Sequence, residues 1–386
     1  MIETASDLEG VVRAIRESGS FAYDTEFIGE ETYYPHLCLI QLATTEDIWL
    51  VDPFSVGSLD SIWRLIADPD IETILHAGAQ DLEPVERYLD VPPSNVVDTQ
   101  LAAGFTGQPY PVSLARLIMD LVGWEMPKGM TFTDWSARPL SAKQLRYAAG
   151  DVRFLPLIWS RMKKHLEEKS HLDAARDEFA SICRPGAYRP NIEKQCRKLH
   201  RRSPLRKLQW KRLHLMMALR NNTARERNVP PRTLMPDNCV SYLVRHTPES
   251  LEDLSRIKGM PRPTVECCGK EILDIIDRKD GFEDIPDLPG KLPEETAASR
   301  IQIDSICSTL ACWCMANEIA PPLVSTRNDI ADWVQGGGLE HPEDGPWPDG
   351  WRRRLAGDFL HRFLTGACTL PMQWKDDRLR FGDECG

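Results

Sequence analysis

No apolar run in the 386-residue chain approaches the roughly 20 residues that span a bilayer. Residues 1–7, Met1-Ile-Glu-Thr-Ala-Ser-Asp7, lack the basic and apolar regions of a secretory leader. A cytoplasmic protein with no membrane partner is therefore expected. Zinc-site spacing is also missing. Of the eleven cysteines, Cys267-Cys268 are adjacent and Cys312-Trp-Cys314 form a C-x-C, with no second C-x-x-C or H-x-x-x-H beside them. They read as small buried thiols of a reducing compartment. Strand signals nearly vanish beyond about Ser170.

Excess positive charge is lacking too. The net charge is −11, which argues against a polyanionic partner until the distribution is considered. From Cys183 to Arg232 there are 11 Arg and 4 Lys against Glu193 and Glu226 alone, a local charge of +13 that leaves −24 on the rest. A block this basic in an acidic chain is a phosphate-binding surface in waiting. The chain is too long for one typical domain, and 42% hydrophobic with 27% charged residues fits two or three globular ones.

In order, residues 5–18 have the pattern of an amphipathic helix capped at Ser6 or Asp7. Three strands follow, at about 20–27, 38–43 and 47–52, the last two joined as a hairpin through Thr44-Thr-Glu46. Helices and strands then alternate: 59–67 helix, 72–76 strand, 79–89 helix, 95–98 strand, then helices from Thr99, over 113–122 and over 141–169. This order predicts a mixed five-stranded sheet with flanking helices, the element order of ribonuclease H-like folds. Residues 204–283 give four or five helical segments punctuated by proline. A linker at 284–293 precedes a second helical set.

The chemistry centres on Phe21-Ala-Tyr-Asp-Thr-Glu-Phe27. An apolar strand delivers Asp24 and Glu26, which as i and i+2 share one face. Two acids so placed repel each other and call for a compensating cation. His76-Ala-Gly-Ala-Gln-Asp81 carries a third acid from a strand end into a helix start. Tyr147-Ala-Ala-Gly-Asp151 puts a phenol and a fourth acid on one helix face. Four carboxylates and a phenol suit two-metal phosphoryl hydrolysis, and hard oxygen donors favour Mg²⁺ or Mn²⁺. With an ordinary pKa near 10, Tyr147 is suited to orienting a water and not to removing its proton.

Asp24-Thr-Glu26, the Asp81 segment and Tyr147-x-x-x-Asp151 resemble the three motifs of the DEDD exonucleases, in the subclass with tyrosine. Thr32-Tyr-Tyr-Pro35, Leu39-Ile-Gln-Leu42, Leu75-His-Ala-Gly78, Asp81-Leu-Glu83, Asp98-Thr-Gln100, Thr133-Asp-Trp135 and Arg138-Pro-Leu140 extend the resemblance. Over about 1–170 their order and spacing are similar to the bacterial ribonuclease D family. Leu219-Arg-Asn-Asn-Thr-Ala-Arg-Glu-Arg227 resembles the first helix of an HRDC nucleic-acid-binding domain.

The resemblance implies an exonuclease domain at 1–170, a basic linker at 171–203, an HRDC domain at 204–283 and a second HRDC-like domain at 294–380. It implies a monomeric 3′→5′ exoribonuclease that releases 5′-mononucleotides from structured RNAs such as transfer RNA precursors. Asp24 would bridge two Mg²⁺ or Mn²⁺ ions, with Glu26 and Asp151 holding one of them. Asp81 would act on the other, partly through water, and Tyr147 would orient the attacking water. From position, His76 could reach the scissile-site phosphate or be a hydrogen-bonded structural histidine, and Phe27 could stack on the terminal base or be a core aromatic. Arg201, Arg202 and Lys207 would bind RNA without sequence preference. A 3′→5′ DNA exonuclease and a catalytically idle nucleic-acid-binding adaptor are the alternatives.

Overall fold

The computed structural model describes residues 1–29, 31–126, 133–289, 295–343, 345–347, 349–369, 372–375 and 378–381. The chain divides into two compact units, one of residues 1–26, 38–188 and 292–386, the other of 27–37 and 189–291.

A five-stranded mixed sheet organises the first unit, as the element order predicts. Its strands are β1 (Ser20–Ile28), β2 (His36–Ala43), β3 (Ile48–Val51), β4 (Glu72–Leu75) and β5 (Val96–Asp98), in the order β3-β2-β1-β4-β5. β2 and β3 form the expected antiparallel hairpin, Ala43 opposite Ile48. β4 runs parallel to β1 with Ile74 beside Ala22, and β5 runs parallel to β4. The central position of β1 explains its apolar start: Phe21, Ala22 and Tyr23 are fully buried.

Helix α1 (Ala5–Ser18) starts earlier than Ser6 or Asp7 would allow, because Thr4 is its cap. The Thr4 hydroxyl accepts from the Asp7 N–H at 3.2 Å, and Gly19 at φ 72° ends the helix. Then come α2 (Asp60–Ile66), α3 (Glu83–Leu89), α4 (Thr99–Ala103) and α5 (Leu114–Val122). The single helix expected at 141–169 is two, α6 (Ala142–Arg153) and α7 (Leu155–Glu168). Pro156 has no N–H to offer the carbonyl four residues back, and the helix breaks at Phe154.

The expected basic linker at 171–203 is also helical, as α8 (Leu172–Ile182) and α9 (Ile192–Arg202). Ala174, Ala175 and Phe179 of α8 join the core of the first unit. Cys196 and Leu199 of α9 join that of the second. Each helix has its own apolar stripe, which the charge count of the segment obscures. The second unit continues with α10 (Lys207–Glu226), α11 (Pro231–Leu234), α12 (Asp237–Leu243), α13 (Leu251–Arg256) and α14 (Arg262–Asp277). They surround Trp210, Leu213, Val240, Leu254 and Ile272. The linker expected over 284–293 lies partly outside the described residues, which stop at 289.

The last segment returns to the first unit: α15 (Ala297–Ala316), α16 (Pro321–Val324), α17 (Arg327–Gln335), α18 (Gly350–Arg352) and α19 (Asp358–Leu364). A hairpin of β6 (Met372–Lys375) and β7 (Arg378–Phe381) follows, where only helices are expected from the sequence. Ile303, Ile306 and Leu310 of α15 share one apolar core with Ile74, Ile158 and Phe179. Glu318, just past α15, accepts from Lys169 Nζ and lies 2.7 Å from His165 Nε2, while its carbonyl receives the Gly107 N–H at 2.9 Å. This segment is thus built into the core that supports the sheet.

Candidate active site

β1 sets the geometry. Asp24 and Glu26 alternate with buried Tyr23 and Thr25, so both acids lie on the sheet face of Ala22, the face that packs on α7. α6 brings Tyr147 and Asp151, as i and i+4, to the same place. One carboxylate oxygen from each of Asp24, Glu26 and Asp151 lies within 4.8 Å of the other two. A pocket of about 290 Å³ is lined by these acids with Thr25, His76, Leu114, Tyr147 and Leu155.

α6 is moored before it reaches the site. Arg138 binds Asp52, at the end of β3, through two parallel bonds of 2.8 Å, and donates to the carbonyls of Cys38 and Trp135 at 2.8 and 3.0 Å. The forked pair suits a guanidinium and leaves the buried Asp52 fully engaged, with its carboxyl held below the ordinary range by Arg138. Ser141 and Gln144 close a capping box at the start of α6. Trp135 packs against the Tyr147 ring at 6.2 Å. The Arg138-Pro-Leu140 and Thr133-Asp-Trp135 motifs therefore serve the orientation of Tyr147 and Asp151.

Asp81 reaches the site differently. It sits in a single 3₁₀ turn, Ala79–Leu82, in place of the expected helix start. The Thr25 hydroxyl donates to its carboxylate, and Tyr23 Oη donates to its carbonyl at 2.8 Å. Asp81 is thus tied to residues of β1 that alternate with Asp24 and Glu26, and it stands outside the three-acid cluster. Glycine at 78 leaves room for this carboxylate: a Cβ there would lie 2.8 Å from Asp81 Oδ2. Ala77 takes the left-handed φ of 56°, and its N–H is held by the Asp98 carboxylate at 2.9 Å. Asp98 also caps α4 through the Gln100 and Leu101 N–H groups. Thr25 and Asp98 are the positioning residues missing from the sequence reading. Asp98 belongs to a quoted motif, whereas Thr25 has no signal beyond its place between two acids.

Electrostatics confirm crowding of like charge. Burial, then repulsion from Asp81, Asp151 and Glu26, raises Asp24 well above the usual carboxylate range. Burial and the charges of Asp151 and Asp81 push Glu26 up to about 8. Burial lifts Asp151 to about 7 and, against the Thr25 bond, Asp81 to about 6. Tyr147 is raised by burial and by Asp151, so its phenol keeps its proton at neutral pH. Among the residues lining the pocket no Lys or Arg offsets the acids. Three converging hard-oxygen donors with no cationic partner fit a divalent metal ion.

The secondary candidates separate. His76 lines the pocket, but both ring nitrogens are engaged: Nε2 with the Val112 carbonyl at 3.1 Å and Nδ1 with Thr99 Oγ1 at 2.9 Å. Burial lowers its pKa to about 4 and leaves it neutral. This favours a wall residue over a phosphate ligand. Phe27 is half-buried and, next to Glu26 in a strand, faces the opposite side. Arg201 and Arg202 end α9 and line an open groove of about 680 Å³ with Lys194, Arg197 and Lys198, and Lys207 opens α10.

A sheet that aims acids from its central strand at a Tyr-x-x-x-Asp helix, joined to a helical unit, defines a metal-dependent 3′–5′ exonuclease with an HRDC domain. Residues 1–167 match the 3′-5′ exonuclease family and residues 209–276 the HRDC domain. Ribonuclease D of Gluconacetobacter diazotrophicus is 32% identical over 377 residues, covering 96% of this chain and 94% of that protein. Ribonuclease D of Bartonella henselae is 30% identical over 372 residues, covering 95% and 90%. The crystal structure of Escherichia coli RNase D, described as an exoribonuclease involved in structured RNA processing, superposes with a TM-score of 0.77 at 27% identity. It covers 95% of this chain and 98% of that one. The chain belongs to the ribonuclease D family.

Proposed function

We propose that this 3′→5′ exoribonuclease trims the 3′ ends of structured RNAs, transfer RNA precursors among them, and acts as a cytoplasmic monomer with two Mg²⁺ or Mn²⁺ ions. The observation that carries this reading is the convergence of Asp24, Glu26 and Asp151 within 4.8 Å beside Tyr147. Metal ions bound there would activate a water and neutralise charge on the leaving oxygen. The chain's own part is to hold and aim. Asp24, Glu26 and Asp151 supply the ligand oxygens. Asp81, fixed by Thr25, adds negative charge close enough to raise Asp24 and Glu26, and in this reading it binds through water. Tyr147 keeps its proton and orients the attacking water by a hydrogen bond. Neutral His76 and Leu155 close the pocket wall.

The basic face of α9 fits the same reading. Lys194, Lys198, Arg201 and Arg202 present cations along one groove, suited to phosphates of any sequence. The test is product analysis on a uniformly labelled transfer RNA bearing a 3′ extension, with and without Mg²⁺ or Mn²⁺, beside a DNA oligonucleotide of matching sequence. Metal-dependent 5′-mononucleotides from the RNA, with the DNA cut more slowly, are expected. Internal cuts or a preference for DNA would overturn the substrate assignment.

A further inference from the structure

Tyr147, Gly150 and Asp151 of α6, and Phe154 at its C-terminal cap, follow one stripe at i, i+3, i+4 and i+7. The first and third serve the acid pocket. The other two are covered by the segment that leaves α5. The Trp124 ring stands 5.0 Å from the Phe154 ring at an angle of 47°. Met126 Cε lies 3.6 Å from the place a Cβ on Gly150 would take. The segment therefore runs along the same helix face as Asp151, and Leu155, next to Phe154, lines the catalytic pocket.

Trp124 is unusual for a tryptophan against a core. It is 36% exposed, and its indole makes no hydrogen bond among the described residues. Arg153 is exposed, with its guanidinium 5.5 Å from the centre of the same Phe154 ring and no ion pair among the described residues. A partly exposed indole and a guanidinium without an ion pair among the described residues, both set against Phe154, match one chemistry well. A nucleobase stacks on the ring, and the phosphodiester of the same nucleotide meets the cation. The acid pocket, by contrast, repels a polyanion, and beside aliphatic Leu114 and Leu155 its two rings are Tyr147, given to orienting the water, and His76, already held at both nitrogens.

We propose that Trp124, backed by Phe154 and flanked by Arg153, is a stacking subsite for an unpaired RNA nucleotide upstream of the scissile phosphate. The proposal rests on the exoribonuclease reading and adds to it a grip on the strand separate from the acids. It makes Trp124 a residue that sets substrate affinity and minimum length, with the bond-breaking step left to the acid pocket.

The test uses the full chain with Trp124→Ala, Trp124→Phe and Arg153→Gln. Two substrates are compared: a single-stranded 12-nucleotide RNA, and bis(p-nitrophenyl) phosphate, a diester with no upstream base. Trp124→Ala should raise KM for the RNA about tenfold with kcat changed less than twofold. Hydrolysis of the small diester should stay unchanged, and Trp124→Phe should restore most of the affinity. Arg153→Gln should make the salt dependence of RNA binding shallower by about 0.7 in log–log slope. A KM for RNA within twofold of the unsubstituted protein, or equal losses on both substrates, would overturn the subsite. Binding of a fluorescent 12-mer to Asp24→Asn protein, with and without Trp124→Ala, reads the platform without turnover. About tenfold weaker binding supports it and equal binding sinks it. Failure of the unsubstituted protein to cut RNA would instead strike the exonuclease reading, with the binding comparison still deciding the platform.

Discussion

Replacing Glu26 with Gln removes one charge from the acid pocket and keeps its shape. Burial, then repulsion from Asp151 and Asp81, lifts the Glu26 carboxyl from 4.5 to about 8. A carboxyl raised by folding stabilises the fold when protonated. That stabilisation is complete below pH 4.5 and is lost as the pH climbs through 8. At about 1.36 kcal/mol per pH unit the ceiling is about 5 kcal/mol above pH 8. Glu26 is partly open to solvent, and screening reduces the effect to about 2 kcal/mol. In a unit of this size each kcal/mol moves Tm by about 2–4 °C. A glutamine side chain at this position carries no such penalty, so metal-free Glu26→Gln protein should melt about 4–8 °C above the unsubstituted protein at pH 8.5. At pH 5 the gap should shrink to under about 2 °C. Circular dichroism melts in EDTA at both pH values measure this. Mn²⁺ should reverse the order at pH 8.5, because only the carboxylate is a full ligand. A variant no more stable than the parent in EDTA at pH 8.5 would refute the reasoning, since the acids would then not be in conflict.

Other consequences follow from the same geometry. Gly78→Ala places a Cβ 2.8 Å from Asp81 Oδ2, which Thr25 holds in place; RNA hydrolysis should fall about 10- to 100-fold with little change in Tm, measured by single-turnover kinetics and thermal melts. Glu26 at about 8 and Asp151 at about 7 carry protons near neutrality that a metal must displace. Apparent Mn²⁺ affinity should therefore fall as pH drops from 8 to 6, and calorimetry in buffers of different ionisation enthalpy should detect proton release at pH 7. Charge reversal to Glu at Arg201, Arg202 and Lys207 together should weaken binding to long RNAs and flatten its salt dependence; unchanged binding at low salt would reassign those residues to structure.

The sheet was legible because β1 to β5 each carry a short β-rich run bounded by turn residues, and the site was legible because its acids sit at strand and helix spacings. Thr25 was hidden because its role depends on Asp81, 56 residues away. The break between α6 and α7 was written in Pro156, but the apolar periodicity continues across it. α8 and α9 were obscured by a charge count that ignores periodicity, although Ala174-Ala175 with Phe179, and Cys196 with Leu199, mark buried stripes. From its place before Asp81, His76 could be read either as reaching the scissile-site phosphate or as a hydrogen-bonded structural histidine. Its actual partners, Thr99 and the Val112 carbonyl, come from later elements that only the fold brings near.

The central claim is that Asp24, Glu26 and Asp151 form the hydrolytic centre. Single-turnover degradation of a 5′-labelled RNA by the unsubstituted protein, Asp24→Ala and Asp151→Ala in Mg²⁺ tests it most directly. The expected result is a ladder shortening one nucleotide at a time from the 3′ end with the unsubstituted protein, and loss of hydrolysis by at least about a thousandfold in both variants, with folded structure retained. Parental turnover in either variant would contradict it.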